Sequence, residues 1–130
     1  MDANGKKISE RVIGCAFAVS KELGAGFLEA VYTNALAVAL KEEGVAYERE
    51  KALSVSFRGQ VVGNYFADFV VEGRLVLELK ALSALTNEHE AQVMNYLRAS
   101  NLKAGLLLNF GRPRLDVRRL VLGHDDAEPI

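Results

Sequence analysis

The sequence predicts an α/β fold of the α+β kind, in which a mixed β-sheet with an antiparallel meander is flanked by helices. The first observation behind this is a change of hydrophobic period, from helical near the start of the chain to two-residue alternation in the middle. The second is a helical segment that separates the third strand-like run from the fourth. Such a crossover makes these two strands parallel if they are neighbours in the sheet.

Two helices are expected first. Apolar residues at three- and four-residue steps predict one helix over residues 8–23. The segment "LGAG" interrupts this pattern, and a second helix is predicted from about 27 to 43, with Gly44 as its stop. Its expected inward-facing residues are Leu28, Val31, Ala35, Leu36 and Leu40.

From Tyr47 to Lys80 the alternating pattern predicts three antiparallel strands, separated by the turn signals Arg58-Gly59 and Glu72-Gly73. The length of the second loop decides which residues share a face. A two-residue turn would pair Asp68 with Leu77, whereas a three-residue loop of residues 72–74 would place Asp68 opposite Glu78. Bringing these two carboxylates together thus requires an odd-length loop or a bulge.

The rest of the chain completes the sheet. A helix is expected from about Asn87 to Ala99, with Asn87 as its cap and Val93, Met94 and Leu97 facing inward. The continuous apolar run "AGLLLNF" predicts a buried strand, and "LDVRRLVL" predicts one more. All 130 residues are interpreted as a single domain, with its core at about 8–122 and an acidic tail at 123–130 that includes His124.

Composition narrows the classes of function. With 17 acidic and 16 basic residues the net charge is −1, so a surface for nucleic acid would have to come from local basic clusters. Cys15 is the single cysteine, which excludes an intrachain disulfide and a thiolate cage for zinc. The amino terminus lacks a signal-peptide pattern and no apolar run is long enough to span a membrane, so a cytoplasmic location is expected. The candidate basic clusters are Lys6, Lys7 and Arg11, and Arg112, Arg114, Arg118 and Arg119.

Charged residues interrupt the strand-like runs of "FADFVVEGRLVLELK" at Asp68, Glu78 and Lys80. Glu78 and Lys80 share one strand face because side chains alternate along a strand. They are either ordinary residues of a solvated face or, with Asp68, a site around a hard divalent cation such as Mg²⁺. In the second case Lys80 would orient or deprotonate an attacking water, or stabilise charge on a phosphate. Spacing alone leaves both alternatives open.

Four segments carry a resemblance that spans roughly Ile8 to Leu122: "GFLEAVY", "YFADFVVEGRLVLELKA", "HEAQVMNYL" and "GLLLNFG". They resemble the GxxExxY proteins, a bacterial family of the PD-(D/E)xK nuclease superfamily. The resemblance implies a restriction-endonuclease-like core. It places Asp68, Glu78 and Lys80 at the catalytic core positions, with Asp68, Glu78 and the helix-borne acid Glu29 as metal ligands. It adds as candidates for substrate binding Gln92 and Tyr96 of a QxxxY motif, together with Tyr32 and His89.

The resulting expectation is a nuclease that uses Mg²⁺ or Mn²⁺ to hydrolyse phosphodiester bonds of DNA or RNA. The alternative is a non-catalytic module that keeps the nuclease fold, binds nucleic acid or nucleotides, or assembles into a homo-oligomer through an uncovered edge strand. His89 has an alternative interpretation of its own, as a histidine that supports the start of its helix. Metal-dependent cleavage separates the two functions.

Overall fold

The structure, a computed structural model, describes residues 7–123. These residues form a five-stranded mixed sheet in the order β1-β2-β3-β4-β5, which confirms the predicted fold class. β3 and β4 are parallel, and the other neighbouring pairs are antiparallel. The elements in chain order are α1 (Ile8–Leu23), α2 (Glu29–Glu42), β1 (Tyr47–Phe57), β2 (Gln60–Val71), β3 (Leu75–Lys80), α3 (Asn87–Ser100), β4 (Ala104–Asn109) and β5 (Asp116–Val121).

Helices cover both faces of the central sheet, so β3 is buried on both sides. Leu75, Leu77 and Leu79 pack in the core cluster that α1 and α2 form on one face. Val76 packs on the opposite face with Leu97 of α3. Even-numbered residues of β3 therefore point to the α3 side, which is where Glu78 belongs.

The β2–β3 connection has the odd length that the carboxylates require. The strand pairs run from Val71↔Leu75 to Phe69↔Leu77, so residues 72–74 form a three-residue loop. Glu72 and Gly73 both adopt positive φ, at 54° and 64°. Of these two residues, Gly73 accommodates the conformation without strain. In this register Asp68 lies at the level of Glu78, as the alternative with a three-residue loop predicted.

The alternation of β2 is interrupted at Asp68. Phe69 packs on the α1–α2 side and Val70 on the α3 side, but Ala67 also packs on the α3 side, where strict alternation would not place it. The neighbouring strand is irregular at the same level, because Glu50 has a φ of 48°. The strand thus changes face beside the acidic residue without a shift of register, because Arg49 pairs with Phe69 and Lys51 with Ala67; the register shift of this strand pair lies farther along, between Val55 and Ser56.

Two details of the helices differ from the expectation. α2 begins at Glu29, so Leu28 lies outside the helix and is 80% exposed, and Val31 is also exposed. The inward positions predicted for these two residues are wrong: Leu28 precedes the helix, and the buried stripe of α2 runs through Tyr32 and the correctly predicted Leu36 and Leu40. The cap of α3 also differs from the expectation.

Thr86, rather than Asn87, is the N-cap of α3. Its side chain accepts from the backbone of His89, and the His89 side chain accepts from the backbone N–H of Thr86, which is a capping box with histidine in the third position. The inward placement of Val93 and Leu97 is confirmed, and Met94 is partly buried.

Some expectations concern residues outside 7–123. Lys6, His124 and the remainder of the acidic tail, residues 124–130, lie outside the described residues. Among the helices of the described part, none combines the length and the apolar character that crossing a bilayer requires.

Candidate active site

Asp68 and Glu78 place two carboxylates side by side on the α3 side of the sheet. Asp68 is half-buried and Glu78 is only 5% exposed. Oδ2 of Asp68 accepts a hydrogen bond of 2.8 Å from the backbone N–H of Leu79. This bond ties the Asp68 side chain to the strand that carries Glu78, so the two acids are held together by backbone geometry.

Burial and mutual repulsion shift the pKa values of both acids. Burial raises the pKa of Glu78 to about 8, and the negative charge of Asp68 adds to the effect, while Lys80 opposes it. The pKa of Asp68 is raised as well, mainly by burial, and the hydrogen bond from Leu79 is the largest opposing contribution. Two adjacent buried carboxylates are costly to ionise together, so the pair retains a proton near neutral pH unless a cation compensates their charge.

Lys80 supplies the positive charge next to this pair. Its Nζ lies 3.4 Å from Oε2 of Glu78, and both side chains are largely buried. The other oxygen of the same carboxylate, Oε1, is buried without a hydrogen-bond partner. A buried carboxylate oxygen without a partner is costly, and a hard divalent cation is bound by oxygens of this kind. The residues present therefore fit a divalent metal ion.

Glu29 borders the pair from the first turn of α2. Its pKa is raised, first by partial burial and then by the charge of Asp68, and Lys80 opposes the shift. The residue is nevertheless exposed. Within residues 7–123, no group of three or more Asp, Glu, His or Cys side chains converges closely enough to hold one metal ion. Glu29 thus lies within electrostatic reach of Asp68 and Lys80 without forming a closed set of three ligands.

Tyr32 is a core residue and not part of a substrate surface. Its side chain is fully buried and stacks on Phe110, with ring centroids 4.9 Å apart. Its hydroxyl donates to the Gly24 carbonyl at 2.6 Å and accepts from the Phe27 N–H at 3.1 Å. This burial favours a structural role for Tyr32 over the expected contact with substrate. The ring instead fixes the segment that leads into Glu29, which explains the Glu-x-x-Tyr spacing.

Gln92 and Tyr96 form a unit on α3 beside the carboxylates. Nε2 of Gln92 donates to the Tyr96 hydroxyl at 3.0 Å. Burial, and next the charges of Glu78 and Asp68, raise the pKa of Tyr96 to about 12. The phenol is therefore protonated at neutral pH, and because its oxygen accepts from Gln92 it can still donate its own proton to a ligand.

His89 has a structural role at the start of α3. Its Nδ1 accepts a 2.9 Å hydrogen bond from the Thr86 N–H and lies 3.2 Å from the Thr86 hydroxyl oxygen. The structure thus favours the helix-start interpretation of His89 over substrate contact.

The sequence patterns did not identify Asn109, which holds the chain directly after Lys80. It is fully buried at the end of β4, where it pairs with Lys80 in the parallel ladder. Its Oδ1 accepts from the N–H groups of Leu82 (2.9 Å) and Gly111 (3.1 Å), and its Nδ2 donates to the Leu82 carbonyl at 3.0 Å. The available signal was a polar residue that ends the apolar run "AGLLLNF".

Several residues of the predicted basic clusters interact with the protein itself. Arg118 pairs with Glu90 at 2.5 Å and lies 3.6 Å from Asp116. Arg112 donates to the Ser83 carbonyl at 3.3 Å, and Arg11 donates to the Glu43 carbonyl at 2.6 Å. These contacts weaken the expectation that the clusters serve nucleic acid. For Lys7, Arg114 and Arg119 that expectation stays a prediction.

Comparison with known proteins identifies the superfamily of this arrangement. Residues 6–120 match the family model described as the PD-(D/E)XK nuclease superfamily. The chain belongs to the PD-(D/E)XK nuclease superfamily. This fits the acidic pair and lysine at Asp68, Glu78 and Lys80, since nucleases of this PD-(D/E)XK superfamily generally use divalent metals and act on nucleic acid.

A similar fold is found among solved structures. A crystal structure of SSO0001 superimposes with a TM-score of 0.59 and 20% identity, covering 76% of this chain. The chain spans about half of that protein, 52% of its length, and at this identity the likeness concerns the fold alone. The comparison with curated proteins gave no match.

Proposed function

We propose that this PD-(D/E)XK protein is a nuclease that depends on Mg²⁺ or Mn²⁺ and hydrolyses phosphodiester bonds of DNA or RNA. The observation that carries the proposal is the buried Glu78 carboxylate, which has one oxygen without a partner and lies between Asp68 and Lys80. An apolar core would not retain such a group for stability alone. A site for a divalent ion and a phosphate accounts for it.

Asp68 and Glu78 would hold the ion directly, and Glu29 would reach it through a water from the first turn of α2. When bound, the ion supplies positive charge to the phosphate and lowers the pKa of water. Glu78 would release its proton to solvent as the ion binds, because the cation would replace the proton as the compensating charge. Oδ2 of Asp68 keeps its bond to the Leu79 N–H and thereby fixes the ligand geometry.

Lys80 would serve the chemistry from the end of β3. Its Nζ, which lies 3.4 Å from Oε2 of Glu78, is placed to orient or deprotonate the attacking water or to stabilise the charge that develops on the phosphate. Asn109 and the bond from the Phe110 N–H to the Lys80 carbonyl at 2.8 Å fix the backbone that carries this ammonium group.

Tyr96 would donate its hydroxyl proton to a phosphate oxygen, and Gln92 would keep that proton oriented by donating to the same hydroxyl. The high pKa of this phenol suits a hydrogen-bond donor better than a base. Tyr96 and Gln92 would thus position the substrate rather than bind the ion.

The test is a cleavage assay on single- and double-stranded DNA and RNA, with and without Mg²⁺ or Mn²⁺. Wild type should cut at least one substrate only when metal is present, and Asp68→Asn and Glu78→Gln should not. Lys41→Ala is the control, since Lys41 is exposed near the far end of α2 from Glu29. Cleavage that survives both site variants belongs to a contaminant. Wild type that neither binds metal nor cuts favours the non-catalytic module. A single domain, a homo-oligomer and a cytoplasmic location stay predictions.

A further inference from the structure

A groove lies between the β1–β2 hairpin and α3, apart from the acidic pair. Its volume is about 460 Å³. β1 and β2 are twice as long as β3, so their outer halves extend past the sheet and form one wall, while α3 forms the other. The polar side chains that line it are Ser54, Ser56, Tyr65, Asn95, Arg98 and Asn101.

Tyr65 connects this groove to the carboxylates. Its ring centroid lies 5.5 Å from that of Tyr96. The charges of Glu78 and Asp68 in turn contribute to the raised pKa of Tyr96. Tyr65 and Asp68 are three residues apart on β2, a separation of roughly 10 Å at about 3.3 Å per residue. A chain with one phosphate at the carboxylates would therefore reach the groove with an adjoining nucleotide.

The side chains of the groove suit an unpaired nucleotide. Tyr65 is 39% exposed and offers an aromatic face for a base. Arg98 is exposed on α3 and supplies a cation for a phosphate, while the Asn95 amide and the serine hydroxyls offer donors and acceptors. The lining contains no Asp or Glu, so nothing in it repels a phosphate.

We infer that this groove binds the single-stranded nucleic acid segment next to the scissile phosphate, with a base stacked on Tyr65 and a phosphate paired with Arg98. Stacking on an exposed ring requires a base that is not paired in a duplex, which is why a single strand is the occupant. The inference rests on the proposed nuclease function, and it assigns that function a substrate class.

Binding is measured by fluorescence anisotropy in EDTA, which prevents metal-dependent cleavage. The probes are a labelled single strand of about twelve nucleotides, within the usual range of single-strand sites, and the duplex of the same sequence. Tyr65→Ala should weaken single-strand binding about 5- to 100-fold, and Tyr65→Phe should keep the affinity within about twofold because it keeps the aromatic face. Arg98→Ala should weaken binding to all sequences and reduce the slope of log affinity against log salt by about 0.7. Lys41→Ala should bind as wild type.

Thermal unfolding checks that the variants are folded, because Tyr65 contacts Tyr96 and its loss can disturb the packing. Arg98 is exposed, so Arg98→Ala tests the groove independently of that contact. The inference would be overturned if the duplex bound as tightly as the single strand. It would also be overturned if Tyr65→Ala and Arg98→Ala both bound single strand as wild type does. If wild type cuts nucleic acid and these two variants bind normally, the nuclease stands and the groove assignment fails. If wild type cuts nothing but both variants lose single-strand binding, the groove assignment stands and the nuclease proposal fails.

Discussion

The Leu79 backbone N–H donates to the Asp68 carboxylate at 2.8 Å, one step beyond Phe69↔Leu77, the last pair of the β2–β3 ladder. A side chain thus takes the place that a backbone carbonyl would take in a regular strand. The bond favours the ionised form of Asp68, while burial and the neighbouring charge raise the pKa of both acids. The two acids therefore titrate as a pair, which must lose a shared proton before both carboxylates can bind a cation.

Stability of the metal-free protein should depend on pH through Glu78. Its pKa is about 8 in the folded state against an ordinary value of 4.5, so the folded protein binds the extra proton between these pH values. The free energy of unfolding should therefore fall as pH rises from about 4.5 to about 8 and level off above that. Chemical denaturation of Glu78→Gln should show a flatter profile and higher stability at pH 8, by on the order of a few kcal/mol. The exposed Glu88→Gln is the control, and identical profiles for wild type and Glu78→Gln would refute this account.

Metal binding should release protons. Below pH 8 a divalent ion has to displace the proton of Glu78, so affinity should rise with pH and each ion bound should release up to about one proton. Calorimetric titration with Mg²⁺ in buffers of different ionisation enthalpy measures this release. Asp68→Asn should bind far more weakly because a charged ligand is gone. Binding of equal strength and heat at every pH and in every buffer would show that the pair is not the site.

Loss of Lys80 should separate binding from chemistry. Lys80→Ala should leave Mg²⁺ affinity unchanged or raise it, because a neighbouring positive charge disappears. Cleavage should fall by about 10²- to 10⁴-fold, the usual scale for a lost general base. Titration calorimetry beside a nuclease assay, on protein checked by circular dichroism, measures both effects. Lys41→Ala again serves as control, and a Lys80→Ala protein that cuts at the wild-type rate would remove Lys80 from the mechanism.

Removing the Tyr32 hydroxyl should loosen the segment before Glu29. Tyr32→Phe keeps the stacking on Phe110 but loses the hydrogen bonds to Gly24 and Phe27. The protein should lose about 0.5–1.5 kcal/mol of stability, since the partly exposed Gly24 carbonyl and Phe27 N–H lose their hydrogen-bond partner. Urea denaturation measures this loss. Tyr47→Phe, in a partly buried tyrosine of β1, is the matched control, and an unchanged stability of Tyr32→Phe would show that water replaces the hydroxyl.

The hydrophobic period and the turn residues predicted the helices and the antiparallel meander, because these elements follow from local sequence. The helix between the third and fourth strands predicted the parallel pair, because it is a crossover connection. They could state two registers for Asp68 but not choose between them, since the positive φ of Glu72 is a property of the folded loop. The burial of Tyr32 depends on its packing against Phe110, and the exposure of Leu28 on where α2 begins; no local pattern determined either. The role of Asn109 depends on a partner 27 residues away.

The parallel pairing of β3 with β4 has a consequence for the order in which the chain acquires its parts. Leu75 aligns with Ala104 and Lys80 with Asn109, so each of these pairs joins residues 29 positions apart. The β1–β2 hairpin instead closes over Arg58 and Gly59 alone, and short closures form before long ones. A chain emerging from the ribosome should thus complete the hairpin early, while Lys80 gains its supporting neighbour only after residue 109 has been made. Pulse-labelled hydrogen exchange during refolding should show hairpin amides protected before the Phe110 amide that bonds to Lys80.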